Sequence, residues 1–263
     1  MSSFDDDLVL NGDILKMIGD VTGVEIEEEN EMDHKTLHNL LANHRGVCDD
    51  DEEEDSEFKD VVVGEEEFKI KLICNEEIPS TLFAQYIWPA SKVLSSHLLE
   101  LDLPSSVLEL GAGCGLPSMV MCRRGVGRVL VTDFPHPILL DEIEQNLARN
   151  CPYKDNVQIT GLLWGEEMGE KVDMVIASEV LWLHDQHENL LKTISSSLNP
   201  LGTCLIAFSH HIPTLEERDL HFFQLAREGG EFESVGEVLR EEVVHPFSSH
   251  KTTTIFLFSM TKK

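Results

Sequence analysis

Basic residues are scarce in this chain: 20 Lys and Arg stand against 49 Asp and Glu, a formal net charge of −29. Phosphate contact needs a basic surface, so direct nucleic-acid binding is not expected. No apolar run approaches the ~20 residues that a membrane span needs, so no membrane role is expected. The opening "MSSFDDDLVLNGDIL" has acidic residues where a signal or transit peptide carries positive charge. The six cysteines, Cys48, Cys74, Cys114, Cys122, Cys151 and Cys204, contain no C-x-x-C pair and no framework spacing. They read as reduced thiols, with neither a disulfide scaffold nor a zinc site expected. These features place the protein in the cytoplasm, with the nucleus left open, and the expected state is a monomer.

The acidity is uneven. Residues 1–80 hold 25 Asp and Glu against 6 Lys and Arg, and residues 81–263 hold 24 against 14. Residues 1–57 include the blocks "EIEEENE" and "DDDEEEDSE", which cannot bury enough apolar surface to fold alone. They are expected to form a largely disordered arm, either a solvated tail or a device that steers a basic protein inward. A folded domain is expected over 58–263, where the 41% hydrophobic composition of the chain can build a core.

That domain begins with "KDVVVGEEEFKIKLICN", two strands around a turn at Gly64 in which Phe68, Ile70 and Leu72 alternate onto one face. "STLFAQYIWPASKVLSSHLLEL" is apolar at helical spacing, with Pro89 marking a kink or a new start. Strands are expected at "SVLEL", "RVLVT", "VQITGL", "VDMVIAS", "GTCLIAF" and "TTTIFLFSM". Helices are expected between them at 116–124, 136–150, 185–198 and 214–228. Alternation of this kind implies an α/β fold, a mainly parallel sheet covered by helices on both faces.

"SVLEL" runs into Gly111-Ala112-Gly113-Cys114-Gly115, with a helix starting near Leu116 and Pro117. A dinucleotide fingerprint, counted from Gly111, requires its last glycine at 116, which is Leu, and a P-loop requires a lysine that is absent. What remains is Glu109, then G-x-G-x-G, then Asp133 closing the next strand. Such glycines let a bulky ligand lie on the backbone, and an acid at that offset can accept both hydroxyls of a ribose. A nucleoside without phosphate, such as S-adenosyl-L-methionine, satisfies the pattern; a glycine turn kept for packing is the bland alternative.

In order along the chain, "YIWPAS", "VLELGAGCGLPS", "VLVTDFP", "LLWGE" and "VIASEVLW" resemble the Rossmann-like, seven-stranded methyltransferases of family 16, the METTL21-like protein-lysine methyltransferases. The likeness covers about 58–263. "AFSHHIPTLEERDLHFFQLA" looks most like the fungal branch once described as nicotinamide N-methyltransferase and now as an elongation-factor methyltransferase. The resemblance implies that Trp88 and Trp164 flank the adenine of S-adenosyl-L-methionine. It also implies that Gly111, Ala112 and Gly113 line its methionine end, Asp133 holds its ribose, and Ser178 meets it at the fourth strand. The family's Asp-x-x-Tyr or Asp-x-x-Phe becomes Glu179-Val180-Leu181-Trp182 here, so Glu179 and Trp182 are the implied catalytic pair, with an acid one methylene longer and a larger aromatic.

The implied activity is methylation of a protein lysine or N-terminal amine, possibly on a basic translation factor. Two alternatives stay open, a small-molecule N-methyltransferase and a non-catalytic cofactor-binding scaffold. The absence of an added lid segment weighs against the first, and the altered Glu179 and Trp182 motivate the second. His184 and His187 have helical metal-ligand spacing without an evident third ligand and read as a surface pair. His210 and His211 follow a strand at the edge where ligands bind and could shape a substrate mouth or serve structure.

Overall fold

The computed structural model describes residues 58–72, 86–151, 155–211, 215–245 and 248–263. The acidic arm expected over 1–57 lies outside the described residues. The described residues begin with a hairpin, β1 (Phe58–Val63) and β2 (Glu66–Lys71), and the next described element is α1 (Pro89–Glu100). Then come β3 (Ser106–Leu110), α2 (Leu116–Arg123), β4 (Arg128–Asp133), α3 (Pro137–Asn150), β5 (Val157–Gly161) and β6 (Val172–Ser178). A 3-10 turn at His184–Gln186 leads into α4 (His187–Ser197), β7 (Leu198–Ser209), α5 (Glu216–Glu228), β8 (Phe232–His245) and β9 (Ser248–Lys262).

Seven of these strands form one sheet in the order β5-β4-β3-β6-β7-β9-β8. The first five are parallel, and β9 is antiparallel to both β7 and β8. All five residues of β3 are buried, as a central strand covered on both faces requires. Chain order reverses on either side of β3, and that is where ligands bind in such sheets, outside the carboxyl ends of the strands. One face carries α1, α2 and α3 on a core that includes Leu94, Leu98, Met119 and Ile143. The other carries α4 and α5 on a core that includes Leu190, Ile194, Phe222 and Phe223. Among the described residues no helix is long and apolar enough to cross a membrane.

The hairpin is locked on by two asparagines four residues apart on α3. Asn146 and Asn150 are both buried. Their side-chain oxygens accept the N–H of Lys71 and Lys69 at 2.9 Å each, and their amides donate to the same residues' carbonyls at 2.9 and 2.8 Å. One helix face thereby supplies the hydrogen bonds of a missing strand, so the buried edge of β2 is satisfied. Phe68 completes the contact with the Arg123 guanidinium 4.0 Å above its ring.

β8 had no counterpart among the strands read from sequence. Its segment "FESVGEVLREEVVH" has Glu233, Glu237, Arg240, Glu241 and Glu242 exposed, because it is the outermost strand and only one of its edges is paired. An edge strand dressed in charge resists pairing with other chains, and the same charge hides it from hydrophobic pattern reading.

Asn146→Ala should destabilise the protein by about 1–3 kcal/mol, because the backbone groups of Lys71 lose their partners inside a buried contact. Urea denaturation of the purified variant measures this, and an unchanged midpoint would show that the hairpin is not held in this way.

Candidate active site

The glycine turn leaves β3 with Gly111, Gly113 and Gly115 all at positive φ (65°, 56° and 80°), a region that side chains other than glycine rarely occupy. A Cβ on Gly111 would stand 2.9 Å from Cγ1 of Val180 and 3.7 Å from Cζ2 of Trp164, so glycine here is needed for close packing. Gly113 differs: among the described residues nothing lies within 4 Å of where its Cβ would be. Its backbone forms an open ledge on the carboxyl edge of the sheet.

Two acidic side chains hold the ledge. Glu109, fully buried on β3, accepts the Ser118 N–H at 3.0 Å and the Ser118 hydroxyl. Ser118 lies in the first turn of α2, where N–H groups have no helical acceptor. Burial pushes the Glu109 carboxyl up to about 8, against the pull of the Ser118 bonds. Asp133, the last residue of β4, accepts the Gly113 N–H at 2.7 Å and the Phe134 N–H at 2.6 Å, one on each oxygen. Burial raises its carboxyl to about 6, opposed by those two bonds. Ala112 is tied to the same strand end, its N–H donating to Thr132 O at 3.1 Å. Among the described residues each Asp133 oxygen has one partner, so a lone pair on each can still accept a hydroxyl from a ribose on the ledge.

The other wall comes from β6 and β7. Ser178 ends β6, paired with Ala207, and Glu179 follows with φ 54°, its N–H donating to Ala207 O at 2.8 Å. That left-handed residue, strained for a non-glycine side chain, turns the chain sharply at the strand end and aims the carboxylate across β7. There Oε2 accepts the Ser209 N–H at 3.1 Å and His211 Nε2 at 3.0 Å. The Ser209 hydroxyl reaches both oxygens, 3.1 Å from Oε1 and 3.3 Å from Oε2. Trp182 is half-buried three residues on. Trp164 abuts Gly111, whereas Trp88, at the start of α1, meets the His211 ring edge to face with centroids 5.2 Å apart. The two tryptophans thus sit at different points, one at the glycine turn and one against His211.

The histidines correct the sequence reading. His184 and His187 are no surface pair. His187 is buried with Nε2 2.7 Å from Leu181 O, and His184 Nε2 lies 2.7 Å from Oδ1 of buried Asp219. Asp219 on α5 meets His210 Nδ1 with its other oxygen, also at 2.7 Å. Burial works against its charge, but the two imidazoles prevail and hold its carboxyl below the usual range. Ser209 and Asp219 escaped the sequence reading. The run Ser209-His210-His211 after a strand was the available signal for the first, and nothing local marks Asp219. A separate groove of about 550 Å³, lined in part by Leu225, Phe232 and Lys262, lies at the opposite, amino-terminal edge of the sheet and is remote from these residues.

A parallel sheet with a glycine ledge at its carboxyl edge, no phosphate motif and an acid closing the next strand defines the class of S-adenosyl-L-methionine-dependent methyltransferases. Residues 67–229 match the family described as lysine methyltransferase, and the chain belongs to that family. The protein N-terminal and lysine N-methyltransferase efm7 of Schizosaccharomyces pombe is 30% identical over 194 residues, 67% of this chain and 74% of that one. EFM7 of Candida glabrata, described in the same words, is 36% identical over 165 residues, 57% of this chain and 64% of its own. Among solved structures, Pyrococcus horikoshii TYW2 in complex with MeSAdo has the same fold, with a TM-score of 0.54 at 13% identity over 88% of this chain and 83% of that one.

The Asp133 geometry carries a prediction. Asp133→Ala should weaken S-adenosyl-L-methionine binding by about 1.5–3 kcal/mol, the usual worth of hydrogen bonds to a charged group. In the unaltered protein the ionised form is the better acceptor, and the carboxyl titrates at about 6. Affinity should therefore hold above that pH and decline as pH falls through it, by about tenfold per pH unit at most. Calorimetry over pH 5–8 measures both; a folded variant with full affinity would remove Asp133 from the site.

Proposed function

We propose that the protein transfers methyl groups to protein amines, a lysine ε-amine or an N-terminal α-amine, with Glu179 and Trp182 as the residues that meet the acceptor. The observation that carries this is the placement of the Glu179 turn on the carboxyl edge beside the glycine ledge, within contact of Gly111 through Val180. The two relatives are described as enzymes of protein N-termini and lysines, which supports a protein acceptor over a small molecule.

S-adenosyl-L-methionine, when bound, supplies an electrophilic methyl on sulfur and a leaving group that departs in line. The residues that would hold it are Gly111, Ala112, Gly113 and Asp133, with Ser178, Trp164 and Trp88 on the rim. The open space above Gly113 and the two spare lone pairs of Asp133 fit a nucleoside without phosphate.

The remaining task belongs to the protein. A lysine ammonium at pH 7 must lose a proton at a cost of about 4–5 kcal/mol, given its ordinary pKa of ~10.4. Glu179 accepts hydrogen bonds from the amine and fixes the direction of its lone pair. Trp182 walls off water and tolerates the cationic product. Orientation of this kind is a large source of rate.

The acceptor is a basic protein, with a translation factor the candidate that the resemblance names, and the acidic residues 1–57 form an arm outside the methyltransferase domain that speeds its encounter. Deleting 1–57 should leave thermal stability and cofactor binding nearly unchanged. The methylation rate should fall at low salt, and the deficit should shrink as screening shortens to ~8 Å at physiological salt. Loss of folding would place the arm inside the domain, and equal rates at every salt concentration would reduce it to a solvated tail.

Glu179→Gln should keep cofactor affinity and lower turnover by roughly tenfold to a hundredfold, the equivalent of hydrogen bonds to a charged group. Incubation with tritiated S-adenosyl-L-methionine and a cell extract measures it. Label in a protein band supports the proposed acceptor, label in a small-molecule fraction overturns it, and full turnover by the variant makes the carboxylate structural.

A further inference from the structure

Glu179 does not stand free at the end of β6. Its Oε2 is occupied by the Ser209 N–H, His211 Nε2 and a longer contact from the Ser209 hydroxyl. Among the described residues its Oε1 accepts only the Ser209 hydroxyl, at 3.1 Å. The two oxygens of one carboxylate are therefore unequal, one saturated by the end of β7 and one with acceptor capacity to spare. We propose that Ser209 and His211 are positioning residues for methyl transfer, holding Oε2 against β7 so that Oε1 is the atom presented to the acceptor amine. This rests on the reading of Glu179 as the residue that meets the amine.

The extra methylene of glutamate acquires a purpose in this arrangement. It lets the carboxylate span from the turn after β6 to the backbone of Ser209, and it adds a rotatable bond that must be held. Pinning Oε2 with a backbone N–H and an imidazole removes that freedom before the acceptor arrives. The imidazole is itself held, with Trp88 against its ring.

Among the described residues two charged groups act on His211. Glu179 faces it from β6. Asp219 faces it from α5, with its two oxygens already taken by His184 and His210. Burial disfavours the imidazolium, but the Glu179 charge and hydrogen bond, aided by Asp219, outweigh it and raise the His211 pKa above its ordinary value. An imidazolium here leaves the buried carboxylate paired, and an isolated buried charge is costly.

Three substitutions test the assignment in the full-length protein. His211→Phe keeps a ring against Trp88 and loses the donor, His211→Gln keeps a donor without the ring, and Ser209→Ala loses the hydroxyl and keeps the backbone N–H. Rates are measured at saturating tritiated S-adenosyl-L-methionine with cell-extract protein as acceptor, alongside calorimetry with S-adenosylhomocysteine and thermal melts. His211→Phe should slow methylation by about tenfold to a hundredfold while S-adenosylhomocysteine affinity is kept. His211→Gln should recover most of that loss, and Ser209→Ala should fall between them. A donor-dependent recovery separates positioning from general damage to the fold. If Phe and Gln are equally slow, or if Phe matches the unaltered protein while Glu179→Gln is slow, the positioning role is overturned and the reading of Glu179 stands. If the unaltered protein labels no protein at all, that reading falls and this one with it.

Discussion

The site depends on two buried acids that tie the glycine turn and the helix after it to the sheet. Three of the five residues in the turn are glycines at positive φ, and glycine loses more conformational freedom on ordering than any other residue, so only the buried Ala112 and Cys114 side chains hold it from within. Glu109 ties the first turn of α2 back to β3, and Asp133 ties Gly113 to the end of β4. Burial raises the pKa of both acids against the pull of their hydrogen bonds. The ledge is a consequence of these contacts.

The opposite wall follows the same rule with different chemistry. The segment after β6 is irregular for several residues, and it is held at three points by imidazoles. His211 takes Glu179, His184 takes Asp219, and His187 takes the carbonyl of Leu181. Asp219 joins this segment to the end of β7 through His210. Imidazole suits the task because it can donate to a carboxylate from a half-dry position without the long flexible stem of lysine. One wall thus rests on acids bonded to backbone N–H groups, and the other on acids bonded to histidines. Between them lies the edge where β3 and β6 part company.

Much of this was legible without coordinates. Alternating strands and helices gave the parallel sheet, because period-2 and period-3.6 apolar patterns record which face of an element is buried. The glycine spacing excluded the phosphate motifs by counting alone. The strand β8 was not legible, since its outer face and free edge are solvated and its residues follow no hydrophobic period. Nor was the role of Asn146 and Asn150, whose partners on β2 lie 75 and 81 residues away. The histidines were visible as residues but were misjudged as a surface pair, because burial of His187 is decided by Phe222 and Leu181 rather than by its neighbours in the chain.

The amino-acid sequence by itself determined the class: local periodicity sets the elements, and Gly111, Gly113 and Asp133 carry their meaning in their identity and spacing. Only the tertiary structure decided how the candidate catalytic acid is held. Glu179 meets Ser209 and His211 across 30 and 32 residues, and Asp219 joins His184 to His210 from another helix. A hydrogen bond requires a donor within about 3 Å in the right direction, and separation along the chain conveys neither distance nor direction until β6, β7 and α5 are packed.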